Sequence, residues 1–217
     1  MKTQVLLSAA AVAMISASAS AQVFNGTPHG AIPDNVPAGI SQSIVIAANP
    51  NTVQSIIVST TMAHTWAGDI IMTLSHNDGF NTVSADIMRR VGSTTVAGVG
   101  DSSNLGGTYR WGDSFAGSFP TAAGLVGDAV AVPAGDYRAF TNIFTAPIGT
   151  TNPAVALNSI FGGRSYNGTW TLTVSDNAGL DTGNISAWSI ELAAVPAPGA
   201  LALLGLAGLA GTRRRRA

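Results

Sequence analysis

The 217-residue sequence has no cysteine, one lysine (Lys2), one glutamate (Glu191) and three histidines. Without cysteine there are no disulfides, so an exported form of this chain must be held by its core or by ions. His29, His64 and His76, with no His-x-x-x-His spacing, leave little to coordinate zinc beyond His64 and His76 with an aspartate. Charge is scarce as well, at ten basic and eleven acidic residues. Five of the basic residues stand at the two ends, Lys2 at one and Arg213, Arg214, Arg215 and Arg216 at the other. The middle therefore sets five arginines against eleven acids, a net charge of −6. That balance argues against a nucleic-acid partner, because phosphate binding needs clustered Lys and Arg. Long helical patterns are absent from the middle, which is rich in Gly, Thr, Ser, Asn and Asp.

Both ends are apolar. Residues 1–21 show one charge, an apolar stretch from 5 to 15, and Ala19-Ser20-Ala21 in the A-x-A form of a signal-peptidase site. The stretch is shorter than the about 20 residues that span a bilayer. It reads as a cleaved secretory signal, with the mature chain starting at Gln22. At the other end, 200–210 is apolar or Gly throughout, and Arg213, Arg214, Arg215 and Arg216 follow. Pro196 and Pro198 stand at the entrance, where a helix tolerates proline. A helix over 198–212 would be roughly 22 Å long against a hydrocarbon core of about 30 Å. The arginines beyond it hold the cytoplasmic side. VPAPG (195–199), the Gly/Ala/Leu run and the arginine cluster resemble the PEP-CTERM sorting tag of Gram-negative bacteria, with Ala197 where that tag has Glu. The resemblance implies processing by an exosortase, delivery to the cell surface or extracellular matrix, and transient or stable membrane anchoring through 198–212.

The segment between them, about 170 residues, suffices for one domain with a full core. Short alternating segments predict strands. One is QSIVI (42–46). In DIIMTL (69–74), Ile70, Met72 and Leu74 share a face. Trp170, Leu172 and Val174 do so in 170–174, and Trp188, Ile190 and Leu192 in 186–192. Turn residues separate them at 77–79, 167–168, 176–177 and 181–183. The pattern predicts an all-β fold, an antiparallel sandwich or jelly roll. Residues 92–163 are Gly-rich and weakly patterned, and predict long loops with a few strands.

Several fragments resemble the P domain (P/Homo B domain) that follows the catalytic domain in kexin-like and some bacterial subtilisin-type proteases. They are IPDN (32–35), AHTWAGDI (63–70), LSHNDG (74–79), NGTWTLTVSDN (167–177), DTGNI (181–185) and Trp188. The resemblance covers about 31–193 and implies a single galactose-binding-like jelly roll. The organisation expected is a signal peptide (1–21), a linker (22–30), the sandwich (31–194) and the sorting segment (195–217). Within the sandwich, His64, Gly68, Asp69, Trp170 and Trp188 read as structural. Asp69 would fix a turn by accepting backbone N–H groups, with His64 bonding across it. Trp170 and Trp188 would anchor the core.

Three chemistries are to be weighed. The family's protease machinery lies in a separate preceding domain, and the ten residues between the signal and Ile32 leave no room for one. GDSFAG (112–117) has the Gly-Asp-Ser form of serine hydrolases, so Ser114 is a candidate nucleophile. It would need a positioned base, and every histidine lies upstream with no downstream D-x-x-H element. Calcium is the best-supported cofactor, since it takes six to eight hard oxygens. Asp34, Asp176, Asn177 and Asp181 offer these on loops that a sandwich would bring together. The same residues also form turns. The expected function is a non-enzymatic binding or structural module at the cell surface or in the matrix, with a polymer or protein ligand. The second expectation is an accessory domain for a subtilisin-like serine protease supplied in trans, and a Ser114 hydrolase ranks last.

Overall fold

The computed structural model describes residues 21–144 and 152–194. The secretory-signal segment before Ala21 lies outside the described residues. So does the sorting segment 195–217, with Pro196, Pro198, the helix over 198–212, and Arg213, Arg214, Arg215 and Arg216. Among the described residues no helix is long and apolar enough to cross a membrane.

Among the described residues eleven strands form two sheets. In chain order they are β1 (Ala21–Gly26), β2 (Gly30–Ile32), β3 (Val36–Ile46), β4 (Val53–His64), β5 (Ile70–Asn77) and β6 (Thr82–Arg89). Then come β7 (Leu105–Gly112), β8 (Gly117–Ser118), β9 (Gly135–Arg138), β10 (Gly168–Asp176) and β11 (Gly183–Ala194). Two one-turn helices, α1 (Phe119–Ala123) and α2 (Leu157–Phe161), lie in the long connections. The larger sheet runs β1-β11-β4-β7-β9-β8, with β2 also on β11, and the smaller runs β3-β10-β5-β6. Their inner faces share one core and make a sandwich with no closed barrel.

The inner faces follow from alternation. Ile70, Met72 and Leu74 on β5, Trp170, Leu172 and Val174 on β10, and Ile190 and Leu192 on β11 are fully buried. Threonines 171 and 173 on β10 turn outward and bond serines 43 and 41 of β3 across the strand pair. Around Trp111 of β7, Tyr109, Phe119, Tyr137 and Phe140 pack in tilted and edge-on pairs, at ring separations where such geometry is favourable.

Two features depart from the expected plan. Residues 22–30, expected as a linker, contribute most of β1, which pairs with β11 from Ala21↔Ala193 to Gly26↔Trp188. The sandwich is also not wholly antiparallel, since β9 runs parallel to β7 and β8. The chain between β7 and β9 carries α1 and is long enough for the crossover a parallel pair requires.

The strand directions define two ends. At one end β4 and β10 finish and β5, β7 and β11 begin, with His64, Asp69, Leu105, Asp176 and Gly183. At the other end lie Val53, Asn77, Gly112 and Gly168.

Candidate functional site

Ionic groups gather at the first end, where the turn after β4 carries Gly68 and Asp69. This turn, a single 3₁₀ turn at Ala67–Asp69, is pinned by Ala67 N–H to Ser103 O at 2.7 Å and Gly68 N–H to Asp101 O at 2.9 Å. Gly68 has to be glycine. A Cβ there would stand 2.3 Å from the Asp101 nitrogen and 2.6 Å from the Gly100 backbone, closer than any side chain tolerates.

Two strand faces that are apolar over most of their length each end here in an ionisable residue. On β4 the inward series Val58, Thr60, Met62 closes with His64; on β10 Trp170, Leu172, Val174 closes with Asp176. The two meet across the interior, His64 Nε2 to Asp176 Oδ2 at 3.1 Å, both side chains fully buried. The other imidazole nitrogen sits against the Trp66 backbone. The second Asp176 oxygen accepts the Ala178 N–H. His64 therefore bonds to β10, and not across its own turn to Asp69.

Asp69 is placed differently from the expectation. Its main-chain oxygen accepts the N–H and side-chain amide of Asn177. Its carboxylate oxygen Oδ1 is buried and accepts no hydrogen bond from any described group. The residue is 1 % exposed. Arg90 lies nearest, Nη2 to Oδ1 at 3.7 Å. Its N–H groups go instead to the carbonyl oxygens of Gly68, Val96, Gly98 and Asn177. Burial, reinforced by the neighbouring Asp176 and Asp181 carboxylates and opposed by Arg90, pushes the Asp69 carboxyl up to about 7. Asp181 lines the same cavity as Asp69, and its Oδ1 accepts the Thr65 hydroxyl at 2.8 Å.

A cavity of about 310 Å³ opens above this pair, lined by Asp69, Asp181, Trp66, Val99 and the 178–180 loop. Asp34 reaches the same loop and accepts the Leu180 N–H at 3.0 Å. Of the four residues named for calcium, Asp34, Asp176 and Asp181 each have an oxygen bonded to a donor of the chain, and Asn177 turns its amide N–H groups inward. Among the described residues no three His, Asp or Glu side chains converge as a metal site would require. Arg90 and Val99 were not singled out in the sequence. Arg90 stands in an Arg-Arg pair that reads as exposed, and no local pattern marks it as buried.

Ser114 lies at the far end, exposed, just past Gly112 of β7. The β4·β7 ladder pairs Ile57 with Gly112 and His64 with Leu105, so seven strand positions, roughly 23 Å, separate His64 from the level of Gly112, and Ser114 follows two residues later. His29 bonds to Leu172 O and His76 to Asn167 O, and none of the three histidines bonds to Ser114. Asp113 accepts the N–H groups of Leu157 and Asn158 at 2.9 Å and so holds the start of α2. The Gly-Asp-Ser element is thus a loop–helix clasp, with no base placed on its serine. Trp170 and Trp188 are buried in the core, Trp170 stacked on His76 at 4.0 Å.

Residues 133–192 match the family model of the proprotein convertase P-domain. Solved structures similar to the chain include the Aeromonas sobria serine protease in complex with a chaperone, at 17 % identity and a TM-score of 0.44, covering 82 % of this chain and 27 % of that one. The same protease alone gives 17 % identity and a TM-score of 0.42, covering 81 % and 26 %. The chain spans about a quarter of the length of these enzymes. No curated protein matches it.

Proposed function

We propose that this chain, which carries a proprotein convertase P domain, is a non-catalytic binding module presented at the cell surface or in the extracellular matrix. One observation carries the reading. All three histidines are bonded within the fold and none to Ser114, while the ionic end holds a cavity lined by two carboxyls, one with an oxygen that the described residues leave without a donor. A cavity over an incompletely bonded carboxyl can receive a ligand that brings a hydrogen-bond donor or a positive charge. The sorting segment supports the location: a PEP-CTERM-like tag cut by an exosortase would leave the sandwich outside the cytoplasmic membrane.

A second reading is favoured by the family match. The partner would be a subtilisin-like serine protease supplied by another chain, with this sandwich stabilising or targeting it.

One experiment separates these readings. The full chain is expressed in its host, captured from membrane and secreted fractions, and treated with a serine-reactive fluorophosphonate probe. The binding reading expects no label on this chain, in the wild type and in Ser114→Ala alike. A labelled protease that co-purifies and loses thermal stability without this chain supports the second reading. Label on this chain that disappears in Ser114→Ala overturns both.

A further inference from the structure

The carboxyl pair and its surroundings specify what would be bound. Asp69 is desolvated, and its Oδ1 has no donor. A polar group in that state costs free energy until something arrives to satisfy it. The nearby guanidinium does not do so, because Arg90 directs its N–H groups to four carbonyl oxygens. Asp181 brings a second carboxyl to the lining of the same cavity. Asp176 and Arg90 also act on Asp69, His64 is bonded to Asp176 behind it, and Asp34 reaches the 178–180 loop.

The mouth of the cavity has the opposite character. Leu180 is 98 % exposed and Val99 60 %, beside a half-buried Trp66. Leu180 holds a left-handed backbone at φ +86 while its N–H is tied to Asp34. Trp66 is fixed by its indole N–H on Val99 O at 2.6 Å. An apolar collar over an acidic floor suits a long aliphatic stem with a cationic head, which buries its methylenes and keeps its charge at the polar group. A bare ion would gain nothing from the collar.

We propose that this cavity is a docking pocket for a lysine or arginine side chain of a partner protein, its cationic head on the Asp69–Asp181 pair and its stem between Trp66, Val99 and Leu180. The volume, about 310 Å³, exceeds what one hydrated ion uses, since a water takes about 30 Å³. Calcium is the rival occupant. It needs six to eight hard oxygens, yet Asp34 and Asp176 are already bonded to Leu180 and His64. The net charge of −6 on the middle of the chain adds long-range attraction for a basic partner. The inference rests on the binding-module reading above and names the chemistry of the partner surface.

The test is an NMR titration of the ¹⁵N-labelled full chain, in a zwitterionic detergent, with acetyl-Gly-Lys-Gly-amide, its arginine analogue and its norleucine analogue. The lysine and arginine peptides should shift the amides of 66–69, 99 and 178–181 and saturate. Norleucine should bind about tenfold more weakly, a loss of about 1.4 kcal/mol. Asp69→Asn and Leu180→Ser should each weaken lysine binding by a similar factor, and Leu180→Ser leaves no buried group changed. Equal shifts from norleucine, or no shift at this end, overturn the pocket. So does calcium chloride if it alone moves the same amides and blocks the lysine peptide, which would make this a divalent-cation site. Lysine binding here with no partner captured from the host sinks the proposed function and leaves the pocket. A captured partner indifferent to Leu180→Ser does the reverse.

Discussion

The two ends of the sandwich close their strands by different chemistry. At the far end the work is done by side-chain amides and by two carboxylates, Asp78 and Asp113, that accept backbone N–H groups. The Asn167 side-chain amide accepts the Asn49 N–H and donates to the Asn49 carbonyl, the Asn49 side chain donates to Gln22, and the turn after β5 folds around Asn77 and Asp78. The ion pair there, Arg164 with Asp78, is partly exposed. At the near end His64, Asp69, Arg90 and Asp176 are buried, and Asp69 lacks a donor at Oδ1. The far end also holds an unpartnered buried atom, His76 Nδ1, but in a ring stacked on Trp170 inside the core. At the near end the unpartnered atom belongs to a carboxylate that lines a cavity, and the proposed binding site rests on that difference.

The two ends should differ most in stability at the buried His64–Asp176 pair. Asp176→Ala leaves the buried His64 Nε2 and the Ala178 N–H without their partner and should cost about 1–3 kcal/mol for each. Asn167→Ala, the corresponding deletion at the far end, removes neutral hydrogen bonds worth roughly 1 kcal/mol each. Urea midpoints of the two variants should differ accordingly, and equal losses would show that the ionic end is not special.

Asp69 sharpens the comparison through pH. Its folded value, about 7, lies above the ordinary 3.8. The stability it contributes is therefore full below about pH 4 and is lost as pH rises to 7. Asp69→Asn should remove that slope and be the more stable form at pH 8. The gain is a few kcal/mol at most, since each tenfold change in proton affinity is worth about 1.4 kcal/mol. Arg90 tolerates the change because its N–H groups already rest on carbonyls. Denaturation of both forms at pH 5 and 8 checks it, and a less stable asparagine variant at pH 8 would contradict the assignment. The glycines give a smaller contrast. Gly68→Ala drives a methyl into the Asp101 backbone and should cost about 1–3 kcal/mol as overpacking does. Gly79 in the far turn, at φ +92 with open space around it, should lose only about 1 kcal/mol on substitution by alanine, for its left-handed backbone. Thermal melts of the two variants rank them.

How much of this could be read beforehand follows from parity. The strands at 70–74, 170–174 and 186–192 were legible because apolar and polar residues alternate cleanly, and β11 keeps Ile190 and Leu192 inside as that alternation requires. The same parity, carried two residues further, puts Asp176 on the inner face after Val174 and His64 after Met62. Composition pointed the other way, since Asp-Asn reads as a turn. β4 was not singled out because Thr60, an inward residue, interrupts its apolar series. Arg90, Val99 and the cavity had no sequence signal. Their positions come from loops far apart in the chain, joined only by the strand order of the two sheets.

The smallest expected effect falls at the far end and runs opposite to Asp69. His76 is buried, stacked on Trp170, with Nε2 on Asn167 O and no partner at Nδ1. Burial, countered in part by that backbone bond and by Asp78, lowers its proton affinity below the ordinary 6.5, and burial lowers His29 in the same way. The unfolded chain therefore binds protons that the folded one refuses. The stability these rings contribute is full above pH 6.5 and is lost as pH falls through their folded values. Between pH 4 and 6.5 the two ends pull against each other: acidification relieves Asp69 and strains the histidines. His76→Gln, which keeps a polar group at the Asn167 carbonyl, should flatten part of the acid limb and leave the Asp69 slope intact. Asp69→Asn should leave the acid limb intact, and steepen the net fall toward low pH. A pH series of urea midpoints for both variants resolves the two slopes. If one substitution removed both, the titrating groups would be coupled through the core, and the division of the sandwich into two ends of different chemistry would fail.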